Sequence, residues 1–250
     1  MKRFCYILLG LLFFSGCKEE VKPLTKTAQE IVDASIEVSG GDLYRKGNIY
    51  FNFRNREYHS ELMGNRTILK RIFMQDSSLV VDVKEPKEFC RYVNDQKVIV
   101  PDTLAKAYSN SVNSVHYFAK LPYGLNDGAV NKELLGIISL KDKEYYKVKI
   151  TFDQEGGGDD FDDVYIYWFN KNTFKPDYLA YKFHSDGGGI RFREAYNERY
   201  VKGIRFVDYN NYKPKEKNTS IYEIDEAFEK GSLELLSKIE LENIKVSLVN

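Results

Sequence analysis

Val164-Tyr165-Ile166-Tyr167-Trp168-Phe169-Asn170 is the stretch on which the fold turns. Successive side chains on a strand point to opposite faces. Val164, Ile166 and Trp168 therefore share one face, and Tyr165, Tyr167 and Phe169 share the other. A strand apolar on both faces is covered on both sides. The same pattern flanks it. Upstream, Tyr146, Val148, Ile150 and Phe152 alternate with Lys147, Lys149 and Thr151; downstream, Leu179, Tyr181 and Phe183 oppose Tyr178 and Ala180. Short polar or glycine-containing connections make these runs antiparallel hairpins.

Moving outward, period-2 runs occupy 49–53, 56–63, 67–75, 79–83, 88–93 and 97–100, then 136–140, 189–196, 201–210, 219–224 and a last strand holding Ile244, Val246 and Leu248. Two helices interrupt them. One opens at a capping box, Thr27-x-x-Glu30, buries Ala28, Ile31, Val32 and Ile36, and stops at Gly40-Gly41. The other carries Leu104, Tyr108, Val112 and Val115 at helical spacing, with Asp102 as N-cap. A helical turn is expected at 226–236. Strand and helix do not alternate, so TIM-barrel and Rossmann architectures are excluded. The expected fold is α+β: one strongly curved antiparallel half-barrel with an N-terminal helix and a mid-chain helix packed on its concave side.

The first residues are an address. Lys2 and Arg3 precede a short apolar run, Phe4 to Phe14, and then Ser15-Gly16-Cys17. The run is too short to span a bilayer and fits a secretory leader. Residues 1–16 are read as a lipoprotein signal peptide, 17–26 as an acylated Cys17 with its tether, and 27–250 as a single domain. Acyl chains on Cys17 would hold the product to a membrane, placing it at the outer membrane, on the periplasmic face or the cell surface. Lys18-Glu19-Glu20 is similar to the acidic export tag of some Bacteroidota lipoproteins; a charged tether is the alternative. Cys5 leaves with the leader, so Cys90 is the one thiol of the domain, expected as a buried structural residue; neither an internal disulfide nor a cysteine-based zinc site is available. The chain has 37 basic and 37 acidic residues, which argues against nucleic acid as a partner.

Candidate chemistry is sparse. Asp159, Asp160, Asp162 and Asp163 form an acidic run suited to a hard cation. They lack the EF-hand order and lie where a solvated hairpin loop is expected. Arg191 and Arg193 share a sheet face and could grip an anionic head group bidentately; the alternative is that they pair with carboxylates such as Glu194 or those of the acidic loop, on a solvated face. There is no H-E-x-x-H and no G-x-S-x-G motif, so no catalytic residue and no cofactor is assigned. Aromatic residues make up 14% of the chain, and tyrosine suits a ligand-lined hollow because it offers apolar area with a polar tip.

Asn113-Ser114-Val115-His116-Tyr117-Phe118, Leu121-Pro122-Tyr123-Gly124-Leu125-Asn126-Asp127, Glu155-Gly156-Gly157-Gly158, Asp163 to Trp168, Gly188 to Asn197 and Gly203 to Tyr209 form a series that resembles an uncharacterised lipoprotein family of Bacteroidota, over roughly residues 25–250. Its strand pattern is similar to the LolA-like half-barrel of lipoprotein carriers. With the aromatic hollow read from the strands, the expectation is non-catalytic binding of a hydrophobic or amphipathic molecule, a lipid or acyl chain among them; the strand alternation and the arginine pair offer Tyr165, Tyr167, Trp168, Tyr181, Arg191 and Arg193 as ligand-binding residues. A structural protein whose helices fill the hollow, or a secreted enzyme, are the other readings.

Overall fold

The computed structural model describes residues 26–158, 161–184 and 187–249. The expected leader, Cys17 and the expected tether through Thr25, together with Asp159 and Asp160, lie outside the described residues.

Two open, seven-stranded antiparallel sheets make up the fold. The first holds β1 (Gly47–Phe53), β2 (Arg56–Met63), β3 (Arg66–Gln75), β4 (Ser78–Lys84), β5 (Phe89–Val93) and β6 (Gln96–Val98), joined as consecutive hairpins. The second holds β7 (Val130–Leu140), β8 (Lys143–Phe152), β9 (Val164–Asn170), β10 (Pro176–Phe183), β11 (Gly189–Val201), β12 (Ile204–Pro214) and β13 (Leu233–Ile239), again in chain order. The final strand, β14 (Glu242–Leu248), returns to pair with β1. The open antiparallel architecture is as expected, with its strands divided between two sheets rather than held in one.

The N-terminal helix α1 (Ala28–Ser39) begins where the sequence placed it. Thr27 accepts from the Glu30 amide while the Glu30 carboxylate accepts from the Thr27 amide, and the helix ends at Gly40 with φ 139°. Replacing Thr27 with Ala removes the acceptor of the Glu30 amide and is expected to lower stability by about 1 kcal/mol, read as a shift of the urea midpoint. A short helix that the sequence did not announce, α2 (Leu43–Lys46), leads into β1. The mid-chain helix α3 (Asp102–Ala119) takes Pro101 as its N-cap, and Asp102 becomes its first helical residue. A proline there fixes the extended entry and lacks only an amide that the first turn leaves unbonded.

Segment 219–224 is not a strand. Ile221–Glu223 forms a 3-10 turn that runs directly into α4 (Ile224–Glu229). Ser220 caps the turn through its hydroxyl, which accepts from the Tyr222 amide. Ile221 and Ile224, three residues apart, then point the same way into a core. Residues 233–236, expected as the end of the helical turn, belong instead to strand β13. Cys90 is half-buried rather than buried; its thiol donates to Glu88 at 3.0 Å and is pushed up by burial and by that carboxylate.

Two apolar cores result. The main one lies between the sheets and gathers Ile31 and Val32 of α1, Phe51 and Tyr58 of the first sheet, Val115 of α3, and Val148, Tyr167, Leu179 and Phe206 of the second. The other lies on the far face of the second sheet, where Ile166, Trp168, Tyr178, Ala180 and Phe192 pack against Ile221, Ile224 and Phe228. Strands β9 and β10 are thus covered on both faces. Among the described residues no helix is long and apolar enough to cross a membrane.

A cavity between the sheets

Between α3 and the inner face of the second sheet is a cavity of about 630 Å³. Strand register arranges its wall in layers. Tyr165 of β9 lies beside Tyr181 of β10, which lies beside Arg191 of β11. One layer further along these strands come Tyr167, Leu179, Arg193 and Asn211 of β12, again directly adjacent in that order. The first layer adjoins the ends of two hairpins, marked by Phe152, Asp163, Phe183 and the Gly156–Gly158 turn. The second is floored by Tyr167 and Leu179, 1% and 2% exposed. Exposed Arg54, Asn113, Ser114, Gly156 and Gly158 form the rim.

Aromatic contacts fix this wall. Tyr165 and Tyr181 stack at 5.6 Å between ring centroids, and Phe152 meets Tyr165 edge-on at 5.6 Å. Such pairs are worth about 0.5–1.5 kcal/mol beyond their buried area, so the lining is held rather than loose. On the opposite side, α3 presents Tyr117 and Phe118. Gly124 lies against the Tyr117 ring: a Cβ there would stand 2.5 Å from it, so the bare backbone is what lets the ring lie where it does.

Electrostatics set the cavity apart from an ordinary core. Arg193 is surrounded by the rings of Tyr181, Phe118 and Tyr209, at 5.1, 5.4 and 6.0 Å from its guanidinium carbon. It donates from Nη2 to the Tyr181 hydroxyl at 3.2 Å, and its Nε–H is buried with no acceptor. Arg191 lies over the Phe183 ring at 4.9 Å and donates to the Ile190 carbonyl. Neither arginine ion-pairs with a described carboxylate. Glu194 instead accepts from Asn210 and Tyr212, on the far side of β11, so the pairing alternative for these arginines does not occur there.

Five of the six expected ligand-binding residues line this cavity: Tyr165, Tyr167, Tyr181, Arg191 and Arg193. Trp168 does not. It faces the other core, where its indole donates to Asp225 Oδ2 at 3.1 Å beside Lys147, whose Nζ is 2.7 Å from the same oxygen. The alternation that turns Tyr167 inward requires Trp168 to point away. Tyr117 and Asn211 were missed. Tyr117 follows the buried His116 and precedes Phe118, so these neighbours cover more of α3 than one narrow stripe. Asn211 reads as an ordinary polar strand residue.

Two of the four candidate metal ligands, Asp162 and Asp163, can be placed. They meet His184, whose Nδ1 is 3.5 Å from Asp162 Oδ2 and 3.4 Å from Asp163 Oδ1. Each residue offers one ligand atom. Among the described residues these three are the ligands brought together, fewer than the four of a structural zinc site or the six to eight oxygens of calcium; Asp159 and Asp160 lie outside the described residues.

Comparison with known proteins rests first on residues 30–241, which match the model of a family of unknown function, DUF6503. The chain belongs to the DUF6503 family. No curated protein matches it in sequence. Among solved structures, this DUF6503 chain is similar to a LolA superfamily protein from Nitrosomonas europaea, at 14% identity and a TM-score of 0.49, covering 90% of this chain and 96% of that one. A DUF1329 family protein from Desulfovibrio piger aligns at 12% identity and a TM-score of 0.49, over 88% and 93%. A domain described as an outer-membrane lipoprotein-sorting protein, from Vibrio parahaemolyticus, aligns at 8% identity and a TM-score of 0.41, over 88% and 93%. At these identities the likeness is one of outline.

Proposed function

We infer that this DUF6503 protein is a non-catalytic binder of an amphipathic molecule, held at the cell envelope by lipid on Cys17. The observation that carries the binding reading is the 630 Å³ cavity walled by Tyr165, Tyr167, Tyr181 and Phe118. Its volume lies inside the ~300–1,000 Å³ range of small-molecule pockets, and its lining joins aromatic rings to polar and charged groups that include Arg191, Arg193, Asp127 and Asp163. Burial of an apolar chain against these rings would supply affinity at about 25 cal/mol per Å². The envelope reading is supported by the leader sequence and by the resemblance to Bacteroidota lipoproteins.

The full chain with Cys17→Ser, purified without detergent, provides the test. Native mass spectrometry is expected to show a co-purifying lipid that is lost on denaturation, and the emptied protein is expected to take up a fluorescent fatty acid at micromolar concentration. A bare protein that also refuses the added probe would leave a filled-hollow structural role as the better account.

A further inference from the structure

Resting on that reading, we propose that the ligand is an anion at the end of a single apolar chain, seated head-inward on Arg193. The argument begins with unmet hydrogen bonds. Buried polar groups are nearly always partnered, and each exception asks for an explanation. Three of them belong to residues that line this cavity: Nε of Arg193, the hydroxyl of Tyr117 and Oδ1 of Asn211. Arg193 and Asn211 are direct cross-strand neighbours. Tyr167, in the layer of Arg193, is within electrostatic reach of both Arg193 and Tyr117, which ties the helix side of the cavity to the sheet side.

All three groups suit a negative head. Arginine keeps its charge under any condition a protein meets and offers its N–H groups in a fixed fork. The Tyr117 phenol is pushed well above its ordinary range by burial, so it remains an O–H donor. Asn211 donates from Nδ2 to Ser237 Oγ at 3.1 Å. A flip of the amide would let Ser237 donate to Oδ1 and turn an N–H into the cavity. Three donors then belong to the lining of one cavity, and no described carboxylate accepts from Arg193; Asp127, which also lines the cavity, lies within electrostatic reach of Tyr117. The ring contacts around Arg193 soften its desolvation but leave the Nε–H unbonded. Arg191, one layer outward, lies along the wall an incoming anion would follow, and the aromatic rings around it suit the chain. Asp163, the carboxylate nearest that outer layer, is at the hairpin end beside His184 rather than beside Arg193.

A matched twelve-carbon set separates head from chain: laurate, dodecyl phosphate and dodecanol, titrated by calorimetry into the full chain carrying Cys17→Ser. At least one anion is expected to bind ten-fold or more tighter than the alcohol, and the tighter of the two identifies the head as carboxylate or phosphate. Arg193→Gln is expected to bring anion and alcohol within about twofold while alcohol binding persists. Tyr117→Phe, which only deletes an unbonded hydroxyl and should fold normally, is expected to cost the anion several-fold and the alcohol nothing. Equal binding of anion and alcohol by the wild type, or a preference that survives Arg193→Gln, overturns the head-inward anion and leaves the amphipathic cavity standing. Binding of none of the three overturns both.

Discussion

Replacing Asp82 with Asn is expected to remove about 3–5 kcal/mol of stability, the cost of breaking a buried ion pair from one side. Asp82 is fully buried on β4, and its cross-strand neighbours are Arg71 on β3 and Arg91 on β5. Arg71 donates from Nε and Nη2 to Oδ2 at 3.0 and 2.6 Å; Arg91 donates from Nε to Oδ1 at 2.7 Å and from Nη2 to Oδ2 at 3.0 Å. One carboxylate thus holds two guanidiniums in a row across the first sheet. The row also docks α3: Arg71 Nη1 donates to Ser111 Oγ at 2.8 Å, and Arg91 lies 3.7 Å from the Tyr108 ring centroid. Without the carboxylate, two charges would remain beneath the helix with no counter-ion. Urea unfolding monitored by the Trp168 fluorescence would measure the loss. Hydrogen exchange is expected to show α3 opening before the second sheet. A loss below 1 kcal/mol would mean that water reaches the arginines and that α3 is held by apolar packing alone. Replacing all three residues with apolar ones of similar volume is expected to be close to neutral, since an intact buried ion network adds little over good packing.

That network marks the limit of what local sequence pattern conveys. Arg71, Asp82 and Arg91 read one at a time as polar residues on a half-solvated face, and only strand register brings them together. Lys147 repeats the lesson. In the run from Tyr145 to Phe152 it reads as a solvent residue, yet it is 8% exposed and bonded to Asp225 and the Tyr222 carbonyl, 78 and 75 residues away. Its partners sit on the 3-10 turn and α4, the region whose Ile221 and Ile224 mimic a strand. Strand existence was legible because period 2 is local. The inward face of 164–170 was not, because both of its faces are apolar and alternation alone favours neither. The arginine pair was legible as a pair, since two residues apart on a strand is one face. That this face would be the inner one depended on Trp168 finding cover from α4 on the other side. Tyr117 and Asn211 carry no signal of their own; only the assembled fold reveals their unmet bonds.

His116 should make the folded state acid-sensitive well above the range of ordinary carboxylates. It is 1% exposed on α3, edge-on to the rings of Phe51 and Tyr58 at 5.7 and 5.6 Å, and its Nε2 lies 3.1 Å from the Lys70 carbonyl. Nε2–H is the donor to that carbonyl, and Nδ1 has no partner to stabilise a second proton. Burial first, then the nearby Lys120 charge, pushes the imidazole down to about 3, while the Lys70 carbonyl pulls weakly the other way. The unfolded chain protonates this histidine near its ordinary value of ~6.5. Between about 6.5 and 3 the unfolded state therefore holds a proton that the native state refuses, so unfolding becomes more favourable as pH falls. Above 6.5 both states are neutral and the residue contributes no pH dependence. Each pH unit inside the window is worth about 1.4 kcal/mol, which gives a loss of roughly 2 kcal/mol by pH 5. Buried carboxyls act in the opposite sense. Asp127 and Asp177 are raised by burial, so at lower pH they take protons in the folded state first and return part of the loss. A difference curve isolates the histidine: stability of the wild type minus that of His116→Gln, from urea unfolding at pH 7, 6 and 5. The difference is expected to shift against the wild type by about 2 kcal/mol across that range. If the two proteins instead track each other from pH 7 to 5, the imidazole is protonated in the folded state, and α3 must admit water between Phe51 and Tyr58.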